Sequence, residues 1–153
     1  MGPRVRLWAR ALAGVVCGAT AGWVALACHE GAAPPAAASF TETSWHVVEV
    51  RGKPIVAADS TRVAYLVFRG DGRTVNGSSG CNRVIGQYDF DDNRLRVGPL
   101  GGTRMMCPDG MAEEQALLAA LHAVTRARVD ADTLRLFSWD TVVVRLVSHG
   151  PAT

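Results

Sequence analysis

Asn76-Gly-Ser-Ser-Gly-Cys-Asn82 is the stretch that decides the fold of this chain, together with Thr103-Arg-Met-Met-Cys-Pro108 further along. Each stretch carries one cysteine, and the glycines beside Cys81 predict a sharp reversal of the chain. In an oxidising compartment two such cysteines favour a disulfide, whereas in the cytosol they favour metal binding or redox chemistry. The compartment therefore decides how Cys81 and Cys107 are interpreted.

The N-terminus carries the layout of an export signal. Arg4, Arg6 and Arg10 precede an uncharged run that is rich in alanine, glycine and valine. A basic segment followed by an apolar one and then by small residues is typical of a secretory signal peptide, which we place at residues 1–27. The alternative, a permanent membrane helix, needs about 20 predominantly apolar residues. This run is short and rich in weakly hydrophobic alanine and glycine, so we expect cleavage.

Val24-Ala-Leu-Ala-Cys28 resembles the lipobox of bacterial lipoproteins, although Ala25 stands where that motif usually has leucine. The resemblance implies that Cys28 is lipidated and becomes the new N-terminus. Residues 28–40, rich in alanine and proline, are then a flexible tether. We therefore expect an exported protein of the bacterial cell envelope, anchored by lipid in the outer membrane or facing the periplasm. Cleavage by ordinary signal peptidase, leaving a secreted or periplasmic chain, remains open.

Size and charge limit the remaining possibilities. About 125 residues follow the predicted signal, which is enough for one domain. The net charge is +2, and the arginines alternate with acidic residues. Because there is no basic stripe or aromatic ladder, the sequence gives no reason to expect a nucleic-acid partner.

Alternation with a period of two dominates the rest of the chain and predicts a mainly β, α+β domain with antiparallel strands. Predicted strands cover residues 45–51, 62–68, 73–76, 88–90, 94–97, 103–107, 133–137 and 141–147. One helix is predicted over residues 111–125, capped by Asp109 and covering an open end or face of the sheet. Met105 and Met106 fall in a predicted strand, so one side chain should enter the core and the other should face solvent.

The combined motifs resemble the META domain, the HslJ-like family. The resemblance spans residues 41–148, with a tail at 149–153, and implies a small antiparallel β-barrel-like domain covered by one helix. It further implies an envelope or lipoprotein context and an association with stress or drug tolerance, and it carries no catalytic residue. The residues that carry the resemblance are Trp45, Gly77, Gly80, Cys81, Asn82, Gly86, Tyr88, Thr103, Arg104, Met105, Met106, Cys107 and Pro108, with Met111 and Glu114 at the entry to the helix.

Several chemistries compete for these residues. A disulfide between Cys81 and Cys107 would contribute about 3.5 kcal/mol in the chain-entropy model. A metal site lacks the usual ligand spacing, since His46, His122 and His149 are scattered. Asp89-x-Asp91-x-Asn93 has Arg94 where a calcium loop requires glycine, so a hairpin turn explains it better. We predict no metal, cofactor or catalytic residue.

The predicted function is a non-catalytic envelope domain that acts by binding an unknown envelope protein or ligand. One alternative is a thiol-dependent enzyme that uses Cys81 or Cys107. The other is a lipocalin-like carrier, because an eight-stranded barrel can hold one small ligand or fill with side chains.

Overall fold

A computed structural model describes residues 38–57 and 61–152, and strands dominate this part of the chain. The predicted signal peptide, Cys28 and the tether as far as residue 37 lie outside the described residues. The elements are β1 (Thr43–Val50), β2 (Lys53–Pro54), β3 (Ala64–Arg69), β4 (Thr74–Ser79), β5 (Arg83–Asp91), β6 (Arg94–Gly102), α1 (Met111–His122), β7 (Arg126–Asp130), β8 (Thr133–Ser138) and β9 (Thr141–Pro151).

The strands form one antiparallel sheet that closes into a ring. The order is β2-β1-β3-β4-β5-β6-β7-β8-β9, and β1 also pairs with β9. Eight strands therefore complete the ring, while the short β2 pairs with the end of β1. Closure removes exposed strand edges. The mainly β, barrel-like class with one helix is thus confirmed.

The seam between β6 and β7 is the weakest part of the ring. Arg94 and Arg126 are the one registered pair there, supported by hydrogen bonds from the Leu95 amide to the Thr125 carbonyl at 3.1 Å and from the Ala127 amide to the Asn93 carbonyl at 2.9 Å. Helix α1 packs against β6, β9, β1 and β4 and buries Leu117, Ala120 and Leu121. The helix therefore packs against strands on different sides of the ring.

The interior of the ring is filled with apolar side chains. Alternating positions point inward, as in β8, where Leu134 and Leu136 are buried between half-exposed neighbours. The largest fully buried side chains are Trp45, Phe68, Leu66, Leu95, Leu117, Leu121, Leu134, Leu136 and Leu146. Packing of these side chains supplies most of the burial that stabilises the domain.

The connections between antiparallel strands alternate between two ends of the ring. We call the end at which the chain enters β1 the entry end; it holds Thr43, the turns at 70–73, 92–93 and 131–132, and Pro151. We call the opposite end the disulfide end; it holds residues 51–57, the turn at 80–82, the segment 103–110 and the turn at 139–140.

Aromatic packing closes the entry end. Phe40 stacks on Phe68 and Phe90, with ring centroids 4.6 and 4.3 Å apart. It also meets the edge of Tyr88 at 5.9 Å. The Ala38 amide donates to the Ala131 carbonyl at 2.9 Å. Residues 38–40, which the sequence analysis placed at the end of the tether, are thus packed against the domain.

Three local predictions were wrong. Residues 103–107 form no strand, because their backbone is bonded to a side chain rather than to a neighbouring strand. Asp109 does not cap α1: Gly110 occupies that position without a side-chain cap. The helix ends at His122 rather than at residue 125, and Arg126 begins β7, a strand that was not predicted.

Candidate functional site

The side chain of Asn82 is the centre of a buried polar network at the disulfide end. Its Oδ1 accepts hydrogen bonds from the Met105 amide at 2.6 Å and from Thr103 Oγ1 at 2.9 Å. Its Nδ2 donates to the Met105 carbonyl at 3.2 Å. One side-chain amide thus satisfies both backbone groups of Met105, as a neighbouring strand would do elsewhere in the sheet.

Glu114 joins helix α1 to the same network. Asn82 Nδ2 also donates to the two carboxylate oxygens of Glu114 at 3.1 and 3.0 Å, and Ser79 Oγ donates to Oε2 at 2.8 Å. Glu114 lies in the first turn of the helix, where the helix dipole favours a negative charge. The network therefore holds the turn at 80–82, the segment 103–107 and the start of α1 together.

A disulfide between Cys81 and Cys107 links two of these parts covalently, the turn at 80–82 and the segment 103–107. Their Cα atoms are 6.1 Å apart and 26 positions apart in the sequence. A loop of that length contributes about 3.5 kcal/mol in the chain-entropy model. Each residue is 9% exposed, and neither sulfur is a free thiol.

Two glycines allow the chain to reach this arrangement. Gly80 has a φ of +98°, a left-handed conformation that glycine adopts readily. At Gly77, a Cβ would overlap the carbonyl of Tyr65 on the neighbouring strand. Gly80 thus serves the turn that carries Cys81 and Asn82, whereas Gly77 allows β4 to approach β3 closely.

The side chains of Met105 and Met106 project into solvent although the backbone of Met105 is held. Met105 is 56% exposed and Met106 is 87% exposed. The prediction that one of them enters the core was wrong, because the segment is not a strand and has no inward face. This end of the domain therefore combines a fixed backbone with exposed apolar side chains.

A family model for the META domain matches residues 38–150. The chain belongs to the META domain family. Residues 38–150, which include the Asn82 network and the Cys81–Cys107 disulfide, thus form a META domain.

Solved structures share the META fold of this chain. A protein from Burkholderia xenovorans, determined by NMR, is 28% identical, with a TM-score of 0.58 over 71% of this chain and 83% of that chain. A DUF4847 family protein from Bacteroides vulgatus is 18% identical, with a TM-score of 0.52 over 74% of this chain and 96% of that chain. The second likeness concerns the fold alone. No curated protein matches the chain.

The remaining residues of the META motif take no part in the hydrogen bonds of the network. Trp45 is fully buried and its Nε1 donates to the Phe40 carbonyl at 3.0 Å. Tyr88 donates from its hydroxyl to the Arg69 carbonyl at 3.0 Å, and burial raises the pKa of this hydroxyl. Gly86 lies beside a bulge in the β5–β6 pairing, and Arg104 and Pro108 are exposed. The motif therefore supports both ends of the domain.

Other sites considered from the sequence find little support in the described residues. No group of three or more His, Cys, Asp or Glu side chains in residues 38–57 and 61–152 could hold a metal ion. Asp89 and Asp91 belong to the β5–β6 hairpin, as expected from their turn chemistry. Within the same residues, no helix is long and apolar enough to cross a membrane.

His46 and His149 form a stacked pair on β1 and β9, with ring centroids 4.3 Å apart. Burial lowers the pKa of His46, and the nearby charge of His149 lowers it further. Protonation of both rings would place two positive charges in contact. Burial and the neighbouring His149 ring therefore favour the neutral form of His46.

Ser79 was not predicted as a site residue, and Asn82 and Glu114 were predicted only as residues of the family motif. The signal in the sequence for a contact between the two segments was the pair of motifs at Cys81-Asn82 and Thr103–Pro108. The hydrogen bonds themselves depend on how β5, β6 and α1 bring distant residues together.

Proposed function

We propose that this protein is a non-catalytic binding module of the bacterial cell envelope. In this proposal it is tethered through a lipidated Cys28, is associated with stress or drug tolerance, and binds its partner at the disulfide end. The observation that carries the proposal is the unequal distribution of exposed apolar side chains between the two ends.

Five exposed large hydrophobic side chains surround the disulfide end, and we call them the apolar rim: Val56, Met105, Met106, Met111 and Trp139. Met106, Val56 and Trp139 are each at least 80% exposed. The other two large exposed hydrophobics among the described residues, Tyr65 and Ile85, lie on the outer walls of β3 and β5. A concentration of exposed apolar groups at one end of a domain favours an interaction surface there.

Positive charge predominates among the exposed charged residues around the apolar rim. Among the described residues, five exposed cations lie at or directly beside the disulfide end, against three acids. The cations are Arg51, Lys53, Arg62, Arg83 and Arg104, and the acids are Asp109, Glu113 and Asp140. A partner that presents apolar groups together with acidic ones would match this surface.

The chain geometry also suits a tethered module. The described domain begins at Ala38, whose amide is bonded at the entry end. The proposed tether therefore joins the domain at the end opposite the apolar rim.

The two alternatives receive less support from the geometry. A thiol-dependent enzyme would need a free thiolate at Cys81 or Cys107, and each of these sulfurs is bonded to the other. A lipocalin-like carrier would need space inside the barrel, which fully buried side chains such as Trp45 and Phe68 occupy.

Site-specific photo-crosslinking in cells tests the binding surface. A photoreactive residue in place of Met106 should capture a partner, whereas the same residue in place of Asp92, an exposed position at the entry end, should capture little. Equal capture at both positions, or capture at Asp92 alone, would contradict the proposed surface.

The mass of the protein extracted from its own membranes tests the anchor. A mass that begins at Cys28 and includes acyl chains is expected. An unlipidated chain would contradict the anchor and leave the binding surface to be judged by the crosslinks.

A further inference from the structure

Three of the four methionines of this protein lie within seven residues, at positions 105, 106 and 111. Methionine is among the residues most often buried in proteins. Here Met106 is 87%, Met105 56% and Met111 41% exposed. Their thioethers therefore contribute little to the core and are open to reagents in solution.

The backbone beside these thioethers is held by groups that do not involve the methionine side chains. Asn82 bonds the amide and the carbonyl of Met105 at 2.6 and 3.2 Å, and Cys107 is fixed by the disulfide. A change in the polarity of the Met105 or Met106 side chain would leave each of these interactions in place.

The cysteines next to them do not compete for an oxidant. Cys81 and Cys107 are already oxidised to a disulfide and are only 9% exposed. Among the described residues the exposed sulfur atoms at this end thus belong to methionine.

We infer that Met105 and Met106 are a reversible oxidation site for peroxides and related two-electron oxidants. With hydrogen peroxide, the thioether sulfur attacks one oxygen, the O–O bond breaks, an S–O bond forms, and the second oxygen leaves as water. The sulfur loses two electrons and the peroxide gains them. A methionine sulfoxide reductase reverses the step with two thiol equivalents, which become a disulfide while the sulfoxide oxygen leaves as water.

The consequence is a change of surface without a change of fold. Sulfoxide is polar whereas the thioether is apolar, so oxidation converts part of the apolar rim into a polar surface while the Asn82 network and the disulfide stay intact. Oxidation of these thioethers requires no partner, so the site stands whether or not the rim binds one.

The test is a kinetic one on the full folded chain with hydrogen peroxide, followed by peptide mass spectrometry. We expect Met106 to react fastest, then Met105, then Met111, with both Met105 and Met106 within about tenfold of the rate for N-acetylmethionine amide. The melting temperature should move by less than about 2 °C, against the roughly 4–8 °C that a loss of 1 kcal/mol produces in a small domain. Methionine sulfoxide reductases with thioredoxin should restore the original mass.

Matched variants keep the result interpretable. Met105→Leu with Met106→Leu should fold normally and lose the fast oxidation, whereas Met111→Leu should retain it. Three results would overturn the inference. They are a reaction of Met105 or Met106 more than about tenfold slower than that of N-acetylmethionine amide, a fall in melting temperature of more than about 2 °C after oxidation, and failure of the reductases to restore the mass.

Discussion

The two ends of this domain are closed by different physical means. At the entry end, Phe40 packs among Phe68, Tyr88 and Phe90, so burial and ring contacts hold it. At the disulfide end, one asparagine side chain and one disulfide hold an irregular segment. Packing hides the apolar groups at the first end, whereas the network and the disulfide leave apolar groups exposed at the second.

This difference teaches how a small domain can display apolar side chains without losing its structure. An exposed hydrophobic segment normally gains order only by burying its side chains. Here the backbone of Met105 is ordered through its own amide and carbonyl, which frees its side chain for other uses. The comparison can be tested by weakening each end in turn.

Loss of the disulfide should have the largest effect. Replacing Cys81 and Cys107 together with alanine should lower the free energy of unfolding by about 3.5 kcal/mol, as measured by urea denaturation. Reductant should destabilise the native sequence by a similar amount and leave the double variant unchanged. A loss below about 1 kcal/mol would mean that the polar network alone holds this end.

Asn82→Ala should lower the free energy of unfolding by about 2–3 kcal/mol, because it removes the hydrogen bonds of Asn82 to the part-buried backbone of Met105 and to the Glu114 carboxylate. Asn82→Asp is the matched control. It keeps the acceptor for the Met105 amide but removes the donor and places a second carboxylate beside Glu114. Adding Glu114→Gln to Asn82→Asp should recover part of the loss in a double-mutant cycle; strict additivity would argue against the direct contact.

Phe40→Ala should lower the free energy of unfolding by about 2 kcal/mol, less than the 3–5 kcal/mol of a fully buried phenylalanine, because this ring is only partly buried. Phe40→Leu retains apolar volume and loses the ring contacts, so it should cost about half as much. Urea denaturation measures both. If Phe40→Ala left the free energy of unfolding unchanged, residues 38–40 would belong to the flexible tether and would not stabilise the domain.

Protonation of His46 should lower the free energy of unfolding by less than about 1 kcal/mol, because this side chain is only partly buried. The pKa of His46 is lowered in the folded state by burial and by the charge of His149, so the unfolded chain binds the proton first. Stability should therefore fall as the pH drops from about 6.5 through the lowered value. His46→Gln should flatten the dependence of urea stability on pH in this range; an unchanged slope would contradict the role of the pair.

A second loss at the entry end is expected at lower pH. The Gly70 amide and the Arg69 guanidinium lower the pKa of Glu42, so its contribution is present above the unfolded value and lost as the pH falls through the lowered one. Glu42→Gln should weaken this second step in the same titration.

The sequence predicted what depends on local pattern and on chemical type. The glycine turn at Gly80, the β5–β6 hairpin and the pairing partner of Cys81 follow from neighbouring residues and from the expected compartment. Strand β7 was missed because Arg126–Asp130 offers only Ala127 and Val129 as inward residues and directly follows a helix. Phe40 was assigned to the tether because the residues before it are mostly alanine and proline.

The candidate site could be predicted only in part. The pairing of Cys81 with Cys107 could be predicted from residue type. The hydrogen bonds from Asn82 to Met105 and Glu114, by contrast, join residues 23 and 32 positions apart. Such bonds depend on the register of β5 with β6 and on where α1 packs. The exposure of Met105 and Met106 follows from that network, so it could not be predicted before the network was known.

Hydrogen exchange of the Asn82→Ala and Phe40→Ala variants tests the separation of the two ends most directly. With labelling times of seconds, amides that require global unfolding stay protected and only local opening is detected. We expect Asn82→Ala to accelerate exchange in residues 79–83 and at Met105 alone, and Phe40→Ala to accelerate it near Thr43 and Gly70 alone. Acceleration at both ends in either variant would contradict the account.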